Sequence, residues 1–341
     1  MVNSWLLTHL KRQNISFTWQ RYGIDALNGM AMGLFGSLII GLILKNIGTW
    51  LGFDALIMIG TQAQSSVGGA IGVGVAYGLK APPLVLFSSV ATGLAGMELG
   101  GVVGALFAGI VGAECGKFFH KTTPVDIIIT PLMTLMFGMA TAHLVSPIIV
   151  SMMTSLGEFI TWAMALSPIL MSMAVAVMMG LLLTSPISSV AIAVSLGLSG
   201  VSAGASTIGC ACQMVGFAVM SYRDNGISGV ISQGLGTSMI QMPNILKNPK
   251  IWLPPTLAGA ILAPFATVMF DMTNIAVGAG MGTSGLVGQV GTLESMGVSV
   301  RTWILIGLFH FVLPAILTLL FAKFMYAKGW IKQGDLKLPE L

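Results

Sequence analysis

Charge is what this chain has least of: only 8% of its residues are Asp, Glu, Lys or Arg, against roughly 25% in an ordinary soluble domain. Its 15 basic and 11 acidic side chains cannot cover the wet surface that a soluble fold of 341 residues would expose. Lipid must cover most of it instead. Cysteine is scarce too, and Cys115, Cys210 and Cys212 make no C-x-x-C pair and no metal-ligand spacing. No disulfide framework and no metal site is therefore expected, only small packing residues.

Catalytic signatures are missing as well. There is no Walker loop, H-E-x-x-H, G-x-S-x-G or dinucleotide fingerprint, which leaves ATP-driven transport and self-contained enzymology without a motif and implies no cofactor. Basic residues lie singly between apolar runs, not in a stripe with aromatics, so the net charge of +4 does not point to nucleic acid. An ion channel is disfavoured by the lack of a carboxylate ring or a repeated filter motif. The first 22 residues lack the apolar core and small-residue cleavage site of a signal peptide, and read as an amphipathic helix on the cytoplasmic face (1–22).

What the chain has in abundance is apolar sequence: 55% of residues are hydrophobic, with 44 Gly and 24 Met. The apolar residues form long unbroken runs, not ten-residue alternating segments, so the expected fold class is an all-α polytopic membrane protein and not a β-barrel. Small-xxx-small pairs at Gly68/Gly72 and Gly100/Gly104 predict close helix packing.

Lys and Arg, costly in hydrocarbon and concentrated in cytoplasmic loops, mark the ends of the spans. They predict about ten transmembrane helices: 26–44, 52–77, two short spans within 81–116 turning near Glu98, then 126–150, 158–183, 186–198, 203–220, 252–270 and 303–325. Three Ser-Pro-Ile motifs, at Ser146, Ser167 and Ser185, read as helix starts with Pro in the first turn. Both termini fall on the cytoplasmic side, with a transmembrane domain over 23–326 and a tail over 327–341.

Two stretches, 224–246 and 271–295, are too rich in Gly, Ser, Asn and Gln to face lipid. They are predicted to be re-entrant hairpins, because irregular backbone at membrane depth survives only where protein or water satisfies its N–H and C=O groups. Polar residues inside the membrane are candidate site residues by default. Asp271, Asn274, Gln289 and Glu294 form the strongest group, joined by Gln241 and Asn244 of the first hairpin and by His143 and Glu98 in apolar surroundings. Glu114, three residues before Lys117, reads as an ordinary i,i+3 ion pair. Amides and carboxylates with few cations suit a polyhydroxyl solute, since each exchanges hydrogen bonds in pairs with neighbouring hydroxyls.

The stretches "FTWQRYGIDALNGMAMGLFGSLIIGLIL", "TSPISSVAIA", "MIQMPNILKNPKIWLPP" and "DMTNIAVGAGMGTSGLVGQ" resemble the stand-alone EIIC branch of the bacterial sugar phosphotransferase system, which includes membrane proteins labelled toxin regulators of the perfringolysin-regulator type. The wider EIIC class implies ten helices with two re-entrant hairpins, a homodimer in the bacterial cell membrane, and alternating access that delivers a sugar to separate EIIA and EIIB proteins. The glucose-type Gly-Ile-Thr-Glu-Pro motif is missing, with Gly-Thr-Ser-Gly-Leu at Gly282 to Leu286 in its place. Glu294 and Asp271 are the candidates to replace its Glu. The sequence thus leaves three readings: a sugar permease, a membrane sensor that regulates gene expression, and a proton-coupled transporter working through Glu98, His143 or Asp271.

Overall fold

The computed structural model describes residues 2–338, so Met1 and residues 339–341 of the predicted tail lie outside it. The described residues are helical with no strand, apart from an isolated antiparallel bridge between Gly200 and Asn274. Six helices are long and apolar enough to cross a bilayer, and Val67–Gly78 and Pro168–Thr184 are shorter apolar helices. The chain is a polytopic all-α membrane protein. It divides into two compact units, Met1–Met152 and Met153–Leu341.

In the first unit the predicted fold-back near Glu98 is visible. Pro83–Phe119 spans 37 residues, and its backbone leaves the helical region at Gly100 and Gly101, where φ is +60°. A Cβ on Gly96 would lie 2.5 Å from the Gly104 carbonyl oxygen, one on Gly112 would lie 3.3 Å from Thr92, and one on Gly116 would lie 2.8 Å from Val85. Residues before the break thus meet residues after it in reverse order, as two antiparallel arms must.

The Gly100/Gly104 pair is therefore no seam on one helix: Gly100 belongs to the turn and Gly104 packs on Gly96. Gly68/Gly72 does behave as predicted, because side chains there would overlap the Gly93 and Ser89 backbone. The predicted span 52–77 is broken in two at Ser66, giving Asp54–Ser65 and Val67–Gly78. Its polar "GTQAQSS" run explains the break, since Ser65 and Ser66 bond back to the Gln62 and Ala63 carbonyls.

Glu114 and Lys117 form the expected i,i+3 pair, within a larger set of contacts. Lys117 is 1% exposed, and its ammonium donates to Glu114 Oε2 at 3.0 Å and to the Asn14 and Leu79 carbonyls at 2.8 and 3.1 Å. Arg21 reaches Glu114 Oε1 at 3.4 Å and donates to Asn14 Oδ1 and the Leu79 carbonyl. The predicted pair is thus part of a largely buried triad with Arg21 that ties Asn14 and Leu79 to the end of the second arm. The partners are distant in sequence, so the i,i+3 rule could not reveal them.

The three Ser-Pro-Ile motifs do three different things. Pro147 lies inside the Asp126–Met164 helix, whose continuation removes the predicted gap at 151–157, and the Ser146 hydroxyl donates to the Leu99 carbonyl at 2.7 Å. Pro168 does open a helix. Ser185 follows the end of one helix, and the next, Ser189–Ser195, is capped by Ser188. That helix has only seven residues, about 10 Å of length at 1.5 Å per residue, so 186–198 is not a span.

In the second unit the Gly200–Met220 helix is the axis. Its apolar window is 94% buried, because small residues let neighbours approach on every side. A side chain at Gly209 would overlap the Ala176 backbone of Pro168–Thr184, and one at Gly204 would overlap Met272. Around this axis lie Pro249–Met269, Val300–Ala327 and the two polar stretches, enclosing a core that includes Met179, Ile208, Met214, Leu262 and Phe309.

Candidate solute site

Both polar stretches are broken, buried in part and joined to one another. In the first, Gly226 (φ +59°) kinks Tyr222–Ile231, and a wide turn at Ser232–Gly236 leads to an extended Thr237 and the tight Ser238–Gln241 turn. Irregular backbone leaves carbonyls unclaimed, and the second stretch claims them: Thr283 and Ser284 donate their hydroxyls to the Gly234 and Gly236 carbonyls. The second stretch bends through positive φ at Asp271, Gly282, Gly285 and Leu286. Glycine at 282 is required twice over, since a side chain there would also press on Cys210 of the axis helix. Leu286, a non-glycine in the left-handed region immediately before the Val287–Met296 helix, is a point of backbone strain.

Asn274, 1% exposed, organises the second stretch. Its Nδ2 lies 2.7 Å from Thr207 Oγ1, 2.9 Å from the Gly288 carbonyl and 3.1 Å from Thr292 Oγ1, while its Oδ1 accepts from Ile275 N. Its backbone N–H and C=O exchange hydrogen bonds with Gly200 at 3.1 and 3.0 Å. Gln289, one residue past Gly288, is 4% exposed, and its Nε2 lies 2.9 Å from His310 Nδ1. The Gln289 Oε1 is buried and has no hydrogen-bond partner. A further set, the buried Thr184, Gln213 and Ser238 with the half-buried Thr256, joins the axis helix to its neighbours through hydrogen bonds of 2.8 to 3.2 Å.

The other candidates are placed differently. Asp271 and Glu294 are exposed, at the end of the second stretch where the Thr273 and Ser295 hydroxyls lie 2.8 Å apart and Arg301 donates to the Phe270 carbonyl. Gln241 and Asn244 are buried, but they donate to the Leu336 and Lys337 carbonyls of the last described residues. Glu98 and His143 are exposed residues of the first unit. Gln241 and Asn244 pair with each other in the first stretch, with Asn244 Nδ2 2.8 Å from Gln241 Oε1, and Asn274 and Gln289 are both buried in the second. His310, absent from the expected set, joins Gln289. Its signal was present: a lone histidine in the apolar run 303–325. Among the described residues no group of three or more His, Cys, Asp or Glu could hold a metal ion.

A polytopic helical chain with two partly buried, amide-bearing broken segments has the architecture expected of a solute permease. The family model described as "Phosphotransferase system, EIIC" matches residues 24–338. The chain belongs to the phosphotransferase-system EIIC family. No curated protein and no solved structure matches it. EIIC proteins are membrane subunits of sugar transport, and phosphotransfer is carried out by other components. The match covers all of the second unit's described residues and both polar stretches, so family membership and the site geometry concern the same part of the chain.

Proposed function

We propose that the chain is a sugar-translocating EIIC permease that holds a polyhydroxyl solute beside the second polar stretch, with Gln289 and His310 as its hydrogen-bonding partners. One observation carries this: the Gln289 amide has a donor side held by His310 and an acceptor side, Oε1, buried with nothing to accept from. An orphaned buried acceptor costs about 1–3 kcal/mol. A sugar hydroxyl supplies the missing donor, and an adjacent hydroxyl on the same ring can accept from the amide or the imidazole.

In this reading the two stretches are re-entrant hairpins, since they cluster with apolar spans and their amides are buried. Lys11 and Arg12 at one end and Lys323, Lys328 and Lys332 at the other support cytoplasmic termini. Separate EIIA and EIIB proteins and a second copy of the chain complete the assembly. Equilibrium binding of a panel of monosaccharides, disaccharides and polyols to the purified protein in lipid nanodiscs tests the proposal. Specific binding of at least one of them, weakened about tenfold or more in Gln289→Leu, is expected. No binding across the panel, or binding unchanged in that variant, overturns it.

A further inference from the structure

The last described residues do not hang free as a tail; they are threaded through a cleft lined with amides. Asn225 Nδ2 donates to the Leu336 carbonyl at 2.8 Å, and Asn225 Oδ1 accepts from Leu338 N at 2.8 Å. Gln241 Nε2 donates to the same Leu336 carbonyl at 3.0 Å, and Asn244 Nδ2 donates to the Lys337 carbonyl at 2.9 Å. Asn248 donates to the Trp330 carbonyl at 3.0 Å, and the Asp224 carboxylate accepts from Gly334 N. Leu336 and Ile331 are 0% and 1% exposed, seated among Phe217, Met220, Ile245, Ile251 and Met325.

Five side chains of the first polar stretch and its flanks act here on main-chain groups. That is how a protein holds a peptide segment, here one folded into turns at 332–337: side chains bond its main-chain groups, and an apolar pocket seats one side chain. The hydrogen bonding inside the cleft is also closed. Gln241 Nε2 divides between Leu336 O and Gln233 Oε1, Asn244 Nδ2 between Lys337 O and Gln241 Oε1, and Gln233 Nε2 between Ser221 Oγ and Gly229 O. If the segment leaves, Gln241 and Asn244 each lose one of their two acceptors and the cover over them, which loosens the Asn244–Gln241–Gln233 chain that braces the start of the Ser232–Gly236 turn.

We infer that Asn225, Gln241 and Asn244 form a peptide-reading site whose occupant is the chain's own 330–338 segment, and that its occupancy fixes the first polar stretch in place. Because the Gly234 and Gly236 carbonyls of that stretch accept from Thr283 and Ser284, releasing the strap loosens the contact between the two stretches. Gln333 of the strap also lines a cavity of about 730 Å³ with Arg223, Asp224, Lys323 and Tyr326, so release opens that cavity too.

Hydrogen–deuterium exchange on the full-length protein in nanodiscs tests it, using Leu336→Asp, which cannot seat in the apolar pocket, and Asn225→Ala/Asn244→Ala, which leaves the apolar cluster intact. Both variants are expected to raise amide exchange over 232–241 by about tenfold or more. A synthetic peptide of sequence WIKQGDLKL, matching 330–338, should bind Leu336→Asp and restore slow exchange, and should fail to do so with Asn225→Ala/Asn244→Ala. Faster exchange confined to 330–338 in both variants overturns the inference, as does a peptide that does not rescue Leu336→Asp. Should Leu336→Asp not fold, the asparagine variant alone decides: unchanged exchange over 232–241 refutes the brace.

Discussion

Gln289 Nε2 lies 2.9 Å from His310 Nδ1, with both side chains buried between the second polar stretch and the Val300–Ala327 helix. At that distance the amide donates and the imidazole accepts, which puts the ring proton on Nε2 and leaves Gln289 Oε1 free for another donor. His310→Gln keeps an acceptor in the cavity, whereas His310→Leu strands both sides of the Gln289 amide. Solute affinity should fall about tenfold or more in His310→Leu and much less in His310→Gln, read by equilibrium binding. Equal losses in the two would show that ring volume matters here and hydrogen bonding does not.

Asn274 ties Thr207, Gly288 and Thr292 together from a position where Gly278 and Gly291 crowd its amide oxygen. Asn274→Leu removes a hub and leaves several buried polar atoms unpaired, so it should lower the detergent-solubilised protein's stability by about 2–4 kcal/mol. Asn274→Asp retains the shape but loses the donor side, and is expected to be nearly as damaging. A thermal-unfolding shift of less than a few degrees in both would remove Asn274 from its organising role.

The buried triad of the first unit makes a separate prediction. Lys117→Met leaves Glu114 with Arg21 as its remaining charge partner and should cost about 3 kcal/mol, the scale for breaking a buried ion pair. Combining Lys117→Met with Glu114→Gln should cost less than the two single changes added together, because the Lys117–Glu114 interaction is lost only once. Additive losses in a double-mutant cycle would mean the two groups do not interact.

Close approach at Gly209 is equally open to test. A methyl group there would meet the Ala176 backbone, which cannot rotate aside as a side chain can. Gly209→Ala is expected to destabilise by about 1–3 kcal/mol, although Ala is the better helix former by about 1 kcal/mol. An unchanged or raised melting temperature would show that the two helices are not packed this closely.

Much of the architecture could be read from composition and breaks. Unbroken apolar runs gave the all-α membrane class, and the Gly-rich "GMELGG" stretch placed the turn that the structure has at Gly100 and Gly101. Spacing failed where a local rule has two structural outcomes. Ser-Pro starts a helix at 167 and sits inside one at 146, because neighbouring backbone can take up the lost hydrogen bond. The expected site residues are also spread apart in the fold: Asp271 and Glu294 are exposed, while Gln241 and Asn244 are buried against the strap at 330–338. That strap follows the last basic-rich helix end and looks like a hydrated tail in one dimension. Only the fold brings its carbonyls to amides about ninety residues earlier in the chain.

A structure determined with the tightest-binding sugar of the panel tests the central claim most directly. The account predicts ligand density within hydrogen-bond distance of Gln289 Oε1, bordered by His310 and the second polar stretch. Ligand density elsewhere, with Gln289 and His310 packed as in the ligand-free protein, would contradict it.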